Sequence, residues 1–85
     1  MKSYDAISDW IIDYLARVFE RDRAEIDPST HFGDFGMDSA GAVGMSGDLS
    51  EWLGVELEDA AAFHFPSVGE LAQHAASMLE QSHGA

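Results

Sequence analysis

The chain has 85 residues, 46% of them hydrophobic and 24% charged, and its 16 acidic residues face four basic ones for a formal net charge of −12. That length suits one small domain, and the excess of negative charge argues against nucleic acid or an anionic membrane as partner while favouring basic protein surfaces reached by electrostatic steering. The absence of cysteine removes disulfides and thiolate metal sites, no apolar run approaches the ~20 residues of a membrane span, and the residues after Met1, which reads as a natural start, lack a signal peptide's apolar segment, so a cytoplasmic protein is expected.

Residues 4 to 20 read as an amphipathic helix. Ile7, Trp10, Ile11, Tyr14, Leu15 and Val18 recur on one face at helical spacing, with Asp5, Asp9, Asp13, Arg17 and Glu20 away from it. Residues 21 to 37 form a long loop through the turn signature Asp27-Pro28-Ser29, and the apolar anchors Ile26, Phe32 and Phe35 make it a structured connection. A second helix spans 39 to 53, with Asp38 as N-cap, Ala42, Met45, Leu49, Trp52 and Leu53 on its inner face, and Gly54 as the C-cap glycine. Val55 and Leu57 anchor the loop that follows, and residues 59 to 63 make one short helical turn. Ser67 and Glu70 form a capping box at the start of a last helix whose inner face is Val68, Leu71, Ala75, Met78 and Leu79, with Ser82 to Ala85 frayed. The fold class expected is all-α, a small four-helix bundle with three long helices and one short, forming a single domain over residues 1–85 with its ordered core at about 4–81.

Ser39 would be the first residue of the second helix. Its hydroxyl is short, exposed and close to the positive end of the helix dipole, which favours a phosphodiester anion. A nucleophilic serine needs a base and a group to orient it, and no nucleophile elbow surrounds Ser39, because Met37 stands where G-x-S-x-G requires glycine. No catalytic residue is therefore assigned. Taken alone, Asp38-Ser39 is also what an ordinary helix start looks like. His31, His64, His74 and His83 follow no zinc spacing, the acidic residues form no EF-hand loop, and Asp34-Phe35-Gly36 matches the kinase magnesium motif in letters only, so no metal is expected.

Four stretches carry a resemblance, in order along the chain: Ile26-Asp27-Pro28, Phe32-Gly33-Asp34-Phe35-Gly36-Met37-Asp38-Ser39, Leu49-Ser50-Glu51-Trp52-Leu53-Gly54-Val55-Glu56-Leu57, and Phe65-Pro66-Ser67-Val68-Gly69-Glu70-Leu71-Ala72. Together they resemble the acyl carrier proteins over nearly the whole chain, most of all the carrier domains of modular polyketide synthases. The resemblance implies a right-handed bundle of four helices and a 4′-phosphopantetheine arm esterified to Ser39, with Asp38 capping the helix and helping to position that serine. It implies loading from coenzyme A by a phosphopantetheinyl transferase, then service to an acyl-loading enzyme (acyltransferase or ligase) and to a ketosynthase or other processing enzymes. The function implied is that of a discrete, monomeric acyl carrier protein in polyketide or mixed polyketide–peptide biosynthesis, with no enzymatic activity of its own.

The departures from the family fall on the face that partners would read, formed by Met37, Ala40, Val43, Gly44, Gly47 and Asp48. Ala40 stands where the family usually has Leu, and Gly44 where a Glu is common. With Gly41 and Gly47 the second helix holds three glycines, each costing about 1 kcal/mol relative to alanine in a helix interior. Either that face is bare so that a partner or cargo approaches the backbone closely, or the helix is locally loose. His64, between Phe63 and Phe65, either touches cargo or belongs to a cap over the core. Two other functions share the fold. One is an aminoacyl or peptidyl carrier, against which Asp38 counts because such carriers usually place Gly-His before the serine; the other is an unmodified helical adaptor.

Overall fold

The computed structural model describes residues 2–84, with side chains through residue 82. Its elements in order are α1 (Tyr4–Val18), two 3-10 turns (Arg23–Glu25 and Phe32–Phe35), α2 (Ser39–Leu53), α3 (Ala61–His64) and α4 (Val68–Gly84). No strand occurs among the described residues, and the fold is the expected small helical bundle. Met1, Ala85 and the side chain of His83 lie outside the description.

Each long helix starts where its sequence provides a side-chain oxygen. Ser3 caps α1 by accepting from the Ala6 N–H at 3.2 Å, and Asp38 caps α2 by accepting from the Gly41 N–H at 2.8 Å. Ser67 caps α4 with a variation on the expected box. Its hydroxyl accepts from the Glu70 N–H at 3.2 Å and donates to the Glu70 carboxylate at 2.8 Å. α2 ends at Gly54, left-handed at φ 74°, as expected. α1 ends two residues earlier than its pattern suggests, because Glu20 turns left-handed at φ 53° and the Arg21 N–H closes back on the Ala16 carbonyl at 3.0 Å.

Ile7, Ile11 and Leu15 of α1, Met45 and Leu49 of α2, and Val68, Leu71, Ala72 and Ala75 of α4 are fully buried in one core. Val18, expected on the inner stripe, is 52% exposed, since it is the last residue of α1 and the chain turns there. Trp10 and Tyr14 are half-buried and stack at 5.3 Å, and Trp10 also stacks on Trp52 of α2 at 5.5 Å. α1 packs mainly against α4, and α2 against α3.

The long connection is held as its anchors suggest. Ile26 and Phe32 are buried, and the half-buried Phe35 meets Phe19 edge to face at 5.8 Å. The turn at Asp27 closes through the Thr30 N–H on the Asp27 carbonyl at 3.0 Å, and the Asp27 carboxylate accepts from the Ser29 hydroxyl and N–H at 2.6 and 2.8 Å. This turn docks on the start of α4. The Gly69 N–H donates to the Pro28 carbonyl at 2.8 Å and the Val68 N–H to that of Thr30 at 3.0 Å, beside an isolated antiparallel bridge between His31 and Ser67. A Cβ at Gly69 would stand 3.0 Å from the Pro28 carbonyl oxygen, so glycine is what permits this approach. At the other end of the loop, Arg23 pairs with both Asp9 and Asp13 of α1.

Candidate functional site

The loop from Phe32 to Met37 delivers the chain to Asp38, which is extended at φ −97° and ψ −178° before α2 begins. Its carboxylate is held on the Gly41 N–H, so the first turn of α2 is fixed at the position of Ser39. Ser39 and Ala40 are exposed. Their N–H groups are among those that an α-helix leaves without an intrahelical partner, and the first turn of α2 holds no acidic side chain. An anion joined to the Ser39 hydroxyl would meet the positive end of the helix dipole there. The local chemistry therefore fits a phosphodiester.

Ser39 borders a cleft of about 530 Å³. Ala42 continues its α2 side, Phe32 and Met37 come from the preceding loop, and Ala62, Phe63 and Pro66 form the opposite wall. The lining is predominantly apolar, and Phe63, 58% exposed, is the most exposed of the large hydrophobic side chains among the described residues. α3 is held across from α2 by Ser46, a fully enclosed residue of the α2 inner face. Its hydroxyl donates to the Ala42 carbonyl at 2.8 Å and accepts from the Ala62 N–H at 3.0 Å. One turn on, the Ser50 hydroxyl donates to the Ser46 carbonyl at 2.8 Å and accepts from the Leu57 N–H at 2.9 Å.

Of the residues named from sequence, Met37, Asp38 and Ser39 come together at the cleft. Ala40, Val43, Gly44 and Gly47 follow at helical spacing on an exposed face of α2, where Val43 is 46% exposed. A Cβ at Gly44 or Gly47 would have no neighbour within 4 Å, whereas one at Gly41 would stand 3.2 Å from Met37 Cγ and 3.3 Å from Asp38 Oδ1. Gly41 thus makes room for the cap and for Met37, and the other two answer to nothing inside the protein. Asp48 is exposed but lies beside Tyr14. Burial first, then the charge and hydrogen bonding of Asp48, push the Tyr14 phenol above its ordinary 10.0. His64 is not on the cleft. Its Nδ1 lies 2.6 Å from Glu58, and the neighbouring Phe63 lines the cleft instead. His74 stacks on Phe65 at 4.0 Å, and no cluster able to hold a metal ion occurs among the described residues. Sequence reasoning misses Phe63 and Ser46, the first because its short helix gives almost no periodicity and the second because a serine on an apolar face reads as an interruption.

Residues 9–75 match the family model described as a phosphopantetheine attachment site. The chain is 43% identical over 51 residues to the acyl carrier protein TtuC of Teredinibacter turnerae, a match covering 60% of this chain and 59% of that one. It is 35% identical over 68 residues to a phenolphthiocerol/phthiocerol polyketide synthase polypeptide of Mycobacterium tuberculosis, covering 80% of this chain and 4% of that one. The chain thus spans little more than half of the first relative and a small fraction of the second. Among solved structures, a free-standing peptidyl carrier protein from a secondary metabolic pathway of Acinetobacter baumannii superposes with a TM-score of 0.82 at 30% identity, covering 93% of this chain and 99% of that one.

Proposed function

Because the chain belongs to the phosphopantetheine attachment-site family and is a carrier protein whose cofactor is covalent 4′-phosphopantetheine, we propose that Ser39 is the residue esterified with that group and that residues 1–85 form a single acyl carrier domain serving polyketide or mixed polyketide–peptide biosynthesis. The observation that carries the reading is the exposed Ser39 hydroxyl at the capped start of α2, on the edge of an apolar cleft. When bound, the group supplies a thiol at the end of a flexible arm, on which an acyl unit rides as a thioester. The protein's own residues do the positioning. Asp38 fixes the helix start, the free N–H groups of the first turn would face a phosphodiester on Ser39, and partners meet Met37 at the cleft and the exposed Ala40, Val43, Gly44, Gly47 and Asp48.

Those partners are a phosphopantetheinyl transferase, an acyl-loading acyltransferase or ligase, and a ketosynthase or similar processing enzyme. They dock weakly and in turn, drawn by charge to a cytoplasmic monomer that has no catalytic site of its own. No helix among the described residues is long and apolar enough to cross a membrane. A second reading, carriage of an aminoacyl or peptidyl unit, is favoured by the likeness to the A. baumannii peptidyl carrier. The Asp38-Ser39 pair and the likeness to an acyl carrier protein favour the first.

Intact mass before and after incubation with coenzyme A and a broad-specificity phosphopantetheinyl transferase tests the assignment. The parent should gain one phosphopantetheine and Ser39→Ala none. A gain that survives in Ser39→Ala would move the attachment elsewhere, and no gain with several transferases would favour an unmodified adaptor.

A further inference from the structure

α3 is a poor helix by itself. It has four residues, and Ala60 at its N-cap contributes no side-chain hydrogen bond. An N–H in its first turn needs a partner from outside, and the Ala62 N–H finds one in the Ser46 hydroxyl, at a site only 1% exposed. The same hydroxyl gives its proton to the Ala42 carbonyl, so its donor and acceptor roles are both fixed. Ala42 and Ala62 are themselves on opposite sides of the cleft that Ser39 borders. This buried hydroxyl therefore makes the hydrogen bond that ties the wall bearing Phe63 directly to the helix bearing Ser39.

The geometry points to Ser46 as a positioning residue for the modification of Ser39. It latches α3 to α2 so that the exposed ring of Phe63 stands where an enzyme reaching the Ser39 hydroxyl must cover it. The occupant is the phosphopantetheinyl transferase, since Ser39 and Phe63 line one opening and an enzyme seated on the first buries the second. This rests on the assignment of Ser39 as the attachment residue. Buried polar pairs of this kind are costly when half-removed, because the orphaned N–H stays dry. Loss of the hydroxyl therefore frees α3 rather than merely removing one contact.

The test is steady-state loading from coenzyme A with the carrier as varied substrate, for the parent, Ser46→Ala, Phe63→Ala and the double variant, with hydrogen exchange at the Ala62 amide. Phe63→Ala should raise KM about fivefold with kcat little changed, as for truncation of an interface anchor. Ser46→Ala should speed exchange at Ala62 and raise KM in the same direction, and the double variant should be no worse than Phe63→Ala alone. Should Ser46→Ala fail to fold, Ser46→Cys keeps a weak donor and acceptor and should give a smaller change of the same sign. An unchanged KM in the Ser46 variant, or effects that multiply in the double variant, would overturn the proposal. A parent that is not loaded at all would instead remove the Ser39 assignment beneath it.

Discussion

Replacing Gly44 and Gly47 with alanine should make the protein more stable. Both lie inside α2 and neither has a positive φ. A Cβ built on either meets nothing within 4 Å, so the substitution carries no packing penalty. What remains is propensity: glycine in a helix interior is about 1 kcal/mol worse than alanine, chiefly through the freedom that the unfolded chain loses. The two sites are neighbours one turn apart, and two methyl groups there touch each other little, so the combined gain should be at most about 2 kcal/mol. For a domain of this size each kcal/mol moves the melting temperature by roughly 4–8 °C. Thermal and urea unfolding of the two single variants and the double variant measure this directly. Gly41→Ala is the internal comparison, because its Cβ crowds Met37 and Asp38 and its gain should be smaller or absent. If Gly44→Ala and Gly47→Ala leave the midpoint unchanged or lower it, the claim that these glycines answer to nothing inside the protein is wrong. If they stabilise the fold and slow loading of Ser39, the bare face is there for a partner.

Gly69→Ala should act in the opposite direction, since its Cβ would stand 3.0 Å from a backbone oxygen and 3.2 Å from the Tyr4 hydroxyl; a loss of about 1–3 kcal/mol in urea unfolding is expected for such overpacking. Glu20→Gly should raise stability in urea unfolding by about 1 kcal/mol, because it relieves a left-handed residue and takes a carboxylate from the negative end of α1. The Ser29 hydroxyl and N–H, with help from Thr30, hold the Asp27 carboxyl below its ordinary 3.8. Its contribution to stability is therefore present above that value and lost as pH falls through the lowered one, so the difference in urea midpoint between the parent and Asp27→Asn should be constant near neutrality and shrink below about pH 4.

What can be read from the sequence is what side chains mark locally. α2 is bounded at both ends because Asp38 and Gly54 are the residues that the backbone chemistry of a start and a stop requires. The pattern of α1 runs too long because Glu20, a residue with no bias toward a left-handed turn, makes one. The short helix expected at 59–63 lies at Ala61–His64, since Ala60 offers no cap to announce it. The place of Ser39 at the start of α2 is legible because it follows its cap directly. The cleft beside it is not, because its walls come from four separated stretches, and a volume between them has no pattern along the chain. Ser46 shows the same limit from the other side. Its burial makes sense only once the Ala62 N–H, sixteen residues away, is known to need it.

The four cations are all engaged within the molecule. Lys2 lies over the Trp52 ring at 4.9 Å, Arg17 over Tyr14 at 5.6 Å, Arg21 over Phe35 at 5.1 Å, and Arg23 between Asp9 and Asp13. All four belong to the first 23 residues, so α2, α3 and α4 carry no fixed positive charge. Outside the first 23 residues, two copies of the protein consequently have little of opposite sign to offer each other. At physiological ionic strength their repulsion reaches only ~8 Å, a distance well inside the molecule's own 18 Å narrowest span. A body bearing its own lysines and arginines would therefore be recognised by charge only in the last few ångströms of approach. Rising salt should erase that recognition before it disturbs the fold.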